Sequence, residues 1–208
     1  MLKFSELHIA KKGVRGFTLI ELLVVIAILA VLATAVVLIL NPAELIRQGR
    51  DSTRLSDMDS LNTALALYLA DVNPTTATLG ACSAARCTAN AGAASPFTVA
   101  PAQNATCPDP ANTGTAVDGT GWVDVGVGVG GLGSVSGGSP LAKLPMDPVN
   151  SATNYYAYAC DNTNDWYEIN TAMESVKYSN AGSGDVESKD GGTNADFYEV
   201  GNDPGLNL

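Results

Sequence analysis

Few residues in this chain of 208 are of a type that does chemistry, and their placement limits what that chemistry can be. The only histidine, His8, lies in the first sixteen residues. The remainder therefore cannot run a Ser-His-Asp or Cys-His mechanism or build a His-ligated metal site. Four cysteines follow in the body, Cys82, Cys87, Cys107 and Cys160. Their spacings lack the close pairs of a zinc site, and an even count in an exported chain reads as two disulfides with three possible connectivities. Cys82 and Cys87 are close enough for a local loop, which would leave Cys107 to join Cys160. Gly126-Val127-Gly128-Val129-Gly130-Gly131 contains a G-x-G-x-x-G string. A dinucleotide site needs a helix after it, and the Gly- and Ser-rich stretch from Leu132 to Pro140 offers none, so the segment reads as a loop. No nucleophile motif appears, and an enzyme is not expected.

The residue with the most unusual setting is Glu21. It is the one ionisable group in the 24-residue run from Phe17 to Leu40. As a helix that run would extend roughly 36 Å, enough to cross a hydrocarbon core of about 30 Å. It is too long for the apolar part of an ordinary signal peptide, and no small-residue cleavage site follows it. A carboxylate inside a bilayer costs several kcal/mol at the centre and is a functional group by default. Residues 1–16 carry Lys3, Lys11, Lys12 and Arg15 against Glu6, a net +3, whereas the rest carries seven basic and twenty acidic residues, a net −13. Basic residues ahead of the span keep the N-terminus in the cytoplasm and send the body outside. The acidic body repels phosphate backbones, so no nucleic-acid partner is expected.

Lys11-Lys12-Gly13-Val14-Arg15-Gly16 followed by Phe17-Thr18-Leu19-Ile20-Glu21 resembles the type IV prepilin signature. The resemblance is dense over residues 11–40 and looser to about residue 72. It implies a leader cut after Gly16 by a prepilin peptidase, N-methylation of the new terminal Phe17, and an assembly role for Glu21. The physics fits those roles. Cleavage creates an α-amino group with a reference pKa near 7.7–8.0, and a neighbour's Glu21 could meet that charge in a dry filament core and set the register between subunits.

The elements that must position these residues follow from patterning. Pro42 removes a backbone donor and should kink or melt the helix near residues 38–42. Helical periodicity then resumes, with Leu55, Met58, Leu61, Leu65, Tyr68, Leu69 and Val72 on one stripe and Asp51, Arg54, Asp57, Asp59 and Asn62 opposite. Asn73-Pro74 ends it. Residues 75–121 show no sustained period and read as a long loop pinned by cysteines. Trp122–Val125, Tyr155–Cys160, Trp166–Ile169 and Phe197–Val200 read as short strands, with a hairpin turn over Asn162–Asp165. Leu144-Pro145-Met146-Asp147-Pro148 resembles the proline-aspartate-proline lead-in to the sheet of type II secretion major pseudopilins, although Val149-Asn150 replaces the Trp-Gly usual there. Those proteins bind calcium in the region that here holds Asp161, Asp165, Asp185, Glu187, Asp190 and Asp196. The resemblance thus implies a structural calcium, but no fixed-spacing loop matches. No metal ligand is assigned, and these acids read as solvated turn residues.

The expected class is α+β. A leader (1–16) precedes a transmembrane and filament-core helix (17–40), an amphipathic half-helix (41–73), and an extracytoplasmic, loop-rich head (74–208). The half-helix packs on a small antiparallel sheet to give a pilin-like lollipop. The resemblance implies a structural subunit of a type IV pilus or related filament, with the type II secretion pseudopilin as an alternative. Expected partners are like subunits, the peptidase, the inner-membrane assembly machinery and, before assembly, lipid. The chain would be a single-pass inner-membrane protein first and a periplasmic or extracellular filament later. The rival class is a signal-anchored surface protein whose head binds a ligand and never polymerises. That rival explains the anchor but neither the Gly16-Phe17 junction nor Glu21.

Overall fold

A computed structural model of the chain describes residues 16–72, 78–82, 85–89, 114–126 and 128–208. The basic leader residues and Cys107 lie outside that set. The architecture is α+β, in the order α1 (Leu19–Leu40), α2 (Pro42–Asp71), β1 (Arg86–Cys87), β2 (Tyr156–Asp161), β3 (Trp166–Thr171) and β4 (Tyr198–Gly201). Two compact units meet after Pro42.

Helix α1 forms from an almost unbroken apolar sequence, and Leu19–Val37 is long and apolar enough to cross a membrane. Every side chain described on it is exposed. It ends at Leu40 because Asn41 takes the left-handed conformation (φ 39°), which Asn tolerates better than most residues. Pro42 then opens α2. At a first helical position the missing N–H costs nothing and the fixed φ suits the helix. The interruption is thus a stop at Asn41 and a restart at Pro42.

In the second unit the sheet is an antiparallel meander in the order β1-β2-β3-β4. Tyr156 to Asp161 pair in register with Thr171 to Trp166. The turn between β2 and β3 is fastened by Asp161, whose Oδ1 accepts the Thr163 N–H (2.7 Å) and whose Oδ2 accepts from Asn164 Nδ2 (2.7 Å). Asp165 closes it at a positive φ of 57°. Alternation along the strands sends Tyr156, Tyr158, Cys160, Tyr167 and Ile169 toward Met58, Leu61, Leu65 and Tyr68 of α2. Full burial of each aliphatic side chain there contributes roughly 1.5–3 kcal/mol. Tyr155, Ala157 and Ala159 point the other way and pack with Leu208 and Phe197.

Three expectations change. Strand β1 lies within the stretch read as loop, because two residues carry no periodicity to find. Trp122–Val125 is buried but not a strand. The Trp122 N–H goes to Gly114 O (2.8 Å) and its indole N–H to Pro145 O (2.8 Å), so these apolar residues fill the core without joining a ladder. The disulfide pairing also differs. Cys82 bonds Cys160, with Cα atoms 4.9 Å apart, and so ties the segment after α2 to β2 across 78 residues. The short Cys82–Cys87 loop does not form because β1 carries Cys87 along the sheet edge, opposite Ala157. Cys87 is itself disulfide-bonded. Non-reducing peptide mapping should therefore recover a Cys82–Cys160 cross-link and join Cys87 to the one remaining cysteine, Cys107. A Cys82–Cys87 peptide would contradict this fold.

Candidate functional site

The candidate processing site is the segment that leads into α1. Gly16, Phe17 and Thr18 adopt no regular structure, and all three are exposed, Phe17 at 89%. Thr18 is extended (φ −79°, ψ 152°) and caps the helix. A side chain at Gly16 would meet nothing within 4 Å, so the fold of the chain does not require glycine there. Any such demand must come from what binds the segment. The bond between Gly16 and Phe17 lies in an exposed stretch ahead of the first helical turn, as a protease needs.

Glu21 occupies the third position of α1. Its Oε2 accepts from the Thr18 N–H (2.8 Å) and the Thr18 hydroxyl (2.8 Å), while its own N–H donates to Thr18 Oγ1 (3.3 Å). This is a capping box, which satisfies two donors at a helix start that would otherwise be bare. A carboxylate also interacts favourably with the positive end of the helix dipole. In a single chain, then, Glu21 is anchored by its own helix rather than left bare. The Thr-x-x-Glu spacing was present in the sequence and is the signal that finds this role.

A second constellation sits at the root of the sheet. Asp51 and Arg54, read from sequence as the outer face of the half-helix, are on the buried stripe, both fully enclosed. Arg54 Nε and Nη2 grip Asp147 (2.6 and 3.1 Å), and Nη1 reaches Asp51 (2.7 Å) and Glu174 (3.1 Å). Burial opposes its charge, but the hydrogen bonds and charges of Asp147, Asp51 and Glu174 outweigh that and raise its pKa. Arg50 holds Glu174 with two bonds (2.6 and 2.8 Å). The hydrogen bond from Arg50, then that from Arg54, keeps Glu174 below the usual glutamate range despite some burial. Asp51 further accepts the N–H groups of Glu174 and Ser175 (2.9 and 2.8 Å), and Asp147 those of Val149 and Asn150 (2.7 and 2.8 Å). This network clamps α2 to two loops and accounts for the aspartate in Pro145-Met146-Asp147-Pro148. It is a structural device, since every polar group in it is committed.

The late acids are not uniformly solvated. Asp165 and Asp196 are exposed and Asp161 is half-buried, but Asp185 (8% exposed) and Glu187 (4%) are buried. Main-chain donors take the place of water there: Ala181 and Ser188 bond Asp185, and Met173 and Asn180 bond Glu187. Among the described residues no group of three or more His, Cys, Asp or Glu side chains is arranged to hold a metal ion. The glycine-rich string at 126–131 has neither a strand before it nor an α-helix after it, only a turn of 3-10 helix at Gly131–Ser134.

The described residues thus combine an exposed Gly16–Phe17 junction, a capped apolar helix with one carboxylate in its first turn, and a compact α+β unit that follows it in the chain. The prokaryotic N-terminal methylation motif matches residues 11–37, and this motif is the signature of type IV pilins and pseudopilins. It supports a type IV pilin- or pseudopilin-type substrate of prepilin peptidase. No curated protein and no solved structure matches the chain significantly.

Proposed function

We propose that the protein is a structural subunit of a type IV pilus or a related filament. A prepilin peptidase cuts after Gly16 and methylates Phe17, and α1 first anchors the chain in the inner membrane and then packs with α1 of other subunits. The observation that carries this reading is the methylation motif on an apolar helix whose described side chains are all exposed. Such a helix needs lipid or its own kind around it. The second unit has its own core, so α1 is free to serve assembly. Burial of Leu, Ile and Val side chains between neighbouring helices supplies affinity at about 25 cal/mol per Å². Glu21 supplies register by meeting the Phe17 amine of a neighbour.

The secretion-pseudopilin form of this reading draws support from Asp147. The proline-flanked aspartate before the sheet is the buried anchor of Arg54 rather than a surface residue.

Cleavage tests the proposal directly. Precursor in membrane vesicles, incubated with a prepilin peptidase, should lose its leader. Gly16→Ala should be cut more slowly and Gly16→Lys not at all, although both substitutions leave the fold undisturbed. Equal cleavage of Gly16→Lys and wild type would remove the peptidase from the account.

A further inference from the structure

The outer face of the sheet carries a buried acidic pair that the filament reading does not use. Glu168 on β3 is 1% exposed and Glu199 on β4 is 2% exposed. Asn170 pairs with Glu199 and Glu168 with Gly201, so period-two alternation puts both carboxyl groups on the face opposite α2. The two side chains are diagonal neighbours across the β3–β4 ladder. Burial of two neighbouring carboxyls opposes full ionisation of both, because desolvation and like charge each favour a proton on one of them. Glu168 accepts from Asn170 Nδ2 (2.7 Å) and from the Leu208 N–H (2.9 Å). Glu199 accepts the Asn194 N–H (2.8 Å).

The charged groups acting on the pair are acidic. Each acts on the other, Asp203 acts on Glu168, and Asp190 acts on Glu199. Asp203 is 5% exposed, and its Oδ1 has no hydrogen-bond partner. Asp190 accepts the Glu199 N–H (2.7 Å). The nearby Lys189 is exposed and acts on Asp185.

We propose that Glu168 and Glu199 form a proton-linked latch that fastens the C-terminal segment and the Gly192–Asn194 turn to the sheet, tightest in mild acid and progressively loosened as pH rises. The fastening is physical: Leu208 hangs on Glu168, and Asn194 on Glu199. The site is also built for close contact, because a side chain at Gly192 would fall on the Glu199 carboxyl. Burial, and secondarily the charges of Glu168 and Asp190, push Glu199 up to about 8. A carboxyl raised in the folded state contributes most below its ordinary value near 4.5. The contribution is lost as pH climbs from there to about 8 and is level above that.

The test is amide hydrogen exchange on the full-length protein in detergent micelles, from pH 5 to 9, read as protection factors at Leu208 and Asn194. In the wild type, protection should fall roughly tenfold per pH unit between about 5 and 7.5, as one linked proton requires, and then level off. Glu199→Gln mimics the protonated acid, so its protection should not vary with pH. Glu187, itself pushed up to about 7 by burial, is the control, and Glu187→Gln should keep the wild-type slope. Protection independent of pH in the wild type, or an unchanged slope in Glu199→Gln, overturns the latch. If Glu199→Gln does not fold, infrared spectra of Glu187→Gln decide. A protonated carboxyl band that persists at pH 7 and titrates near 8 supports the latch, and no such band refutes it.

Discussion

Glu21→Leu should reach the membrane and lose its leader as wild type does, yet yield few or no filaments. Insertion survives because removal of a charge from an apolar span makes partition into lipid easier. Cleavage survives because the Gly16–Phe17 bond is exposed ahead of the helix whatever stands at position 21. Assembly fails because each buried Phe17 amine would lack a counter-charge, a loss of about 3–5 kcal/mol by analogy with broken buried ion pairs. Leucine also removes the capping box, and Glu21→Gln separates the two roles. Glutamine at this position still reaches back to the Thr18 N–H and preserves the cap, but it carries no charge. Filament yield from cells with each variant as sole subunit, at matched membrane levels, is the measurement. Loss in both variants assigns assembly to the charge. Loss in Leu alone would make Glu21 a helix cap and nothing more.

Arg54→Met should destabilise the body more than any single surface change. The substitution leaves Asp51 and Asp147 buried as unanswered carboxylates beside Glu174. Removal of one partner from a buried ionic network costs about 3–5 kcal/mol, which for a body of this size lowers the melting temperature by about 10 °C or more. Arg50→Ala makes the comparison. Its side chain is 31% exposed and leaves Glu174 with Arg54 still in reach, so screening by solvent should hold its cost to about 1 kcal/mol or less. Thermal unfolding of the full-length variants in detergent, near pH 7, should rank Arg54→Met far below Arg50→Ala and wild type. Equal melting of the two arginine variants would mean that the clamp does not hold α2 to the loops.

What the sequence disclosed depended on how local the cause was. The apolar run, the stop near Pro42 and the hairpin around Asn162–Asp165 are set by residues close in the chain, and pattern alone located them. The methylation motif over residues 11–37 was legible for the same reason, since it is an order of residue types along the chain. Arg54 was not. A charged residue on a helix is usually solvated, and only the arrival of Asp147 and Glu174 from 93 and 120 residues away makes its burial possible. One hint was available: Asp51 and Arg54 continue, backwards, the three- and four-residue steps of Met58, Leu61, Leu65 and Tyr68. The Cys82–Cys160 pairing was hidden for a similar reason, since proximity in sequence favoured Cys82–Cys87 while the sheet edge fixes Cys87 elsewhere. Trp122–Val125 had strand composition but lends its apolar side chains to the core and joins no strand of the sheet.

The central claim is that this chain is processed at Gly16 and works from the new terminus. Intact mass and N-terminal peptide mass spectrometry of the protein isolated from its native host decide it. The account predicts a mature chain that begins at Phe17 with one methyl group on its α-nitrogen. A chain that retains residues 1–16, or is cut at another bond, would contradict it.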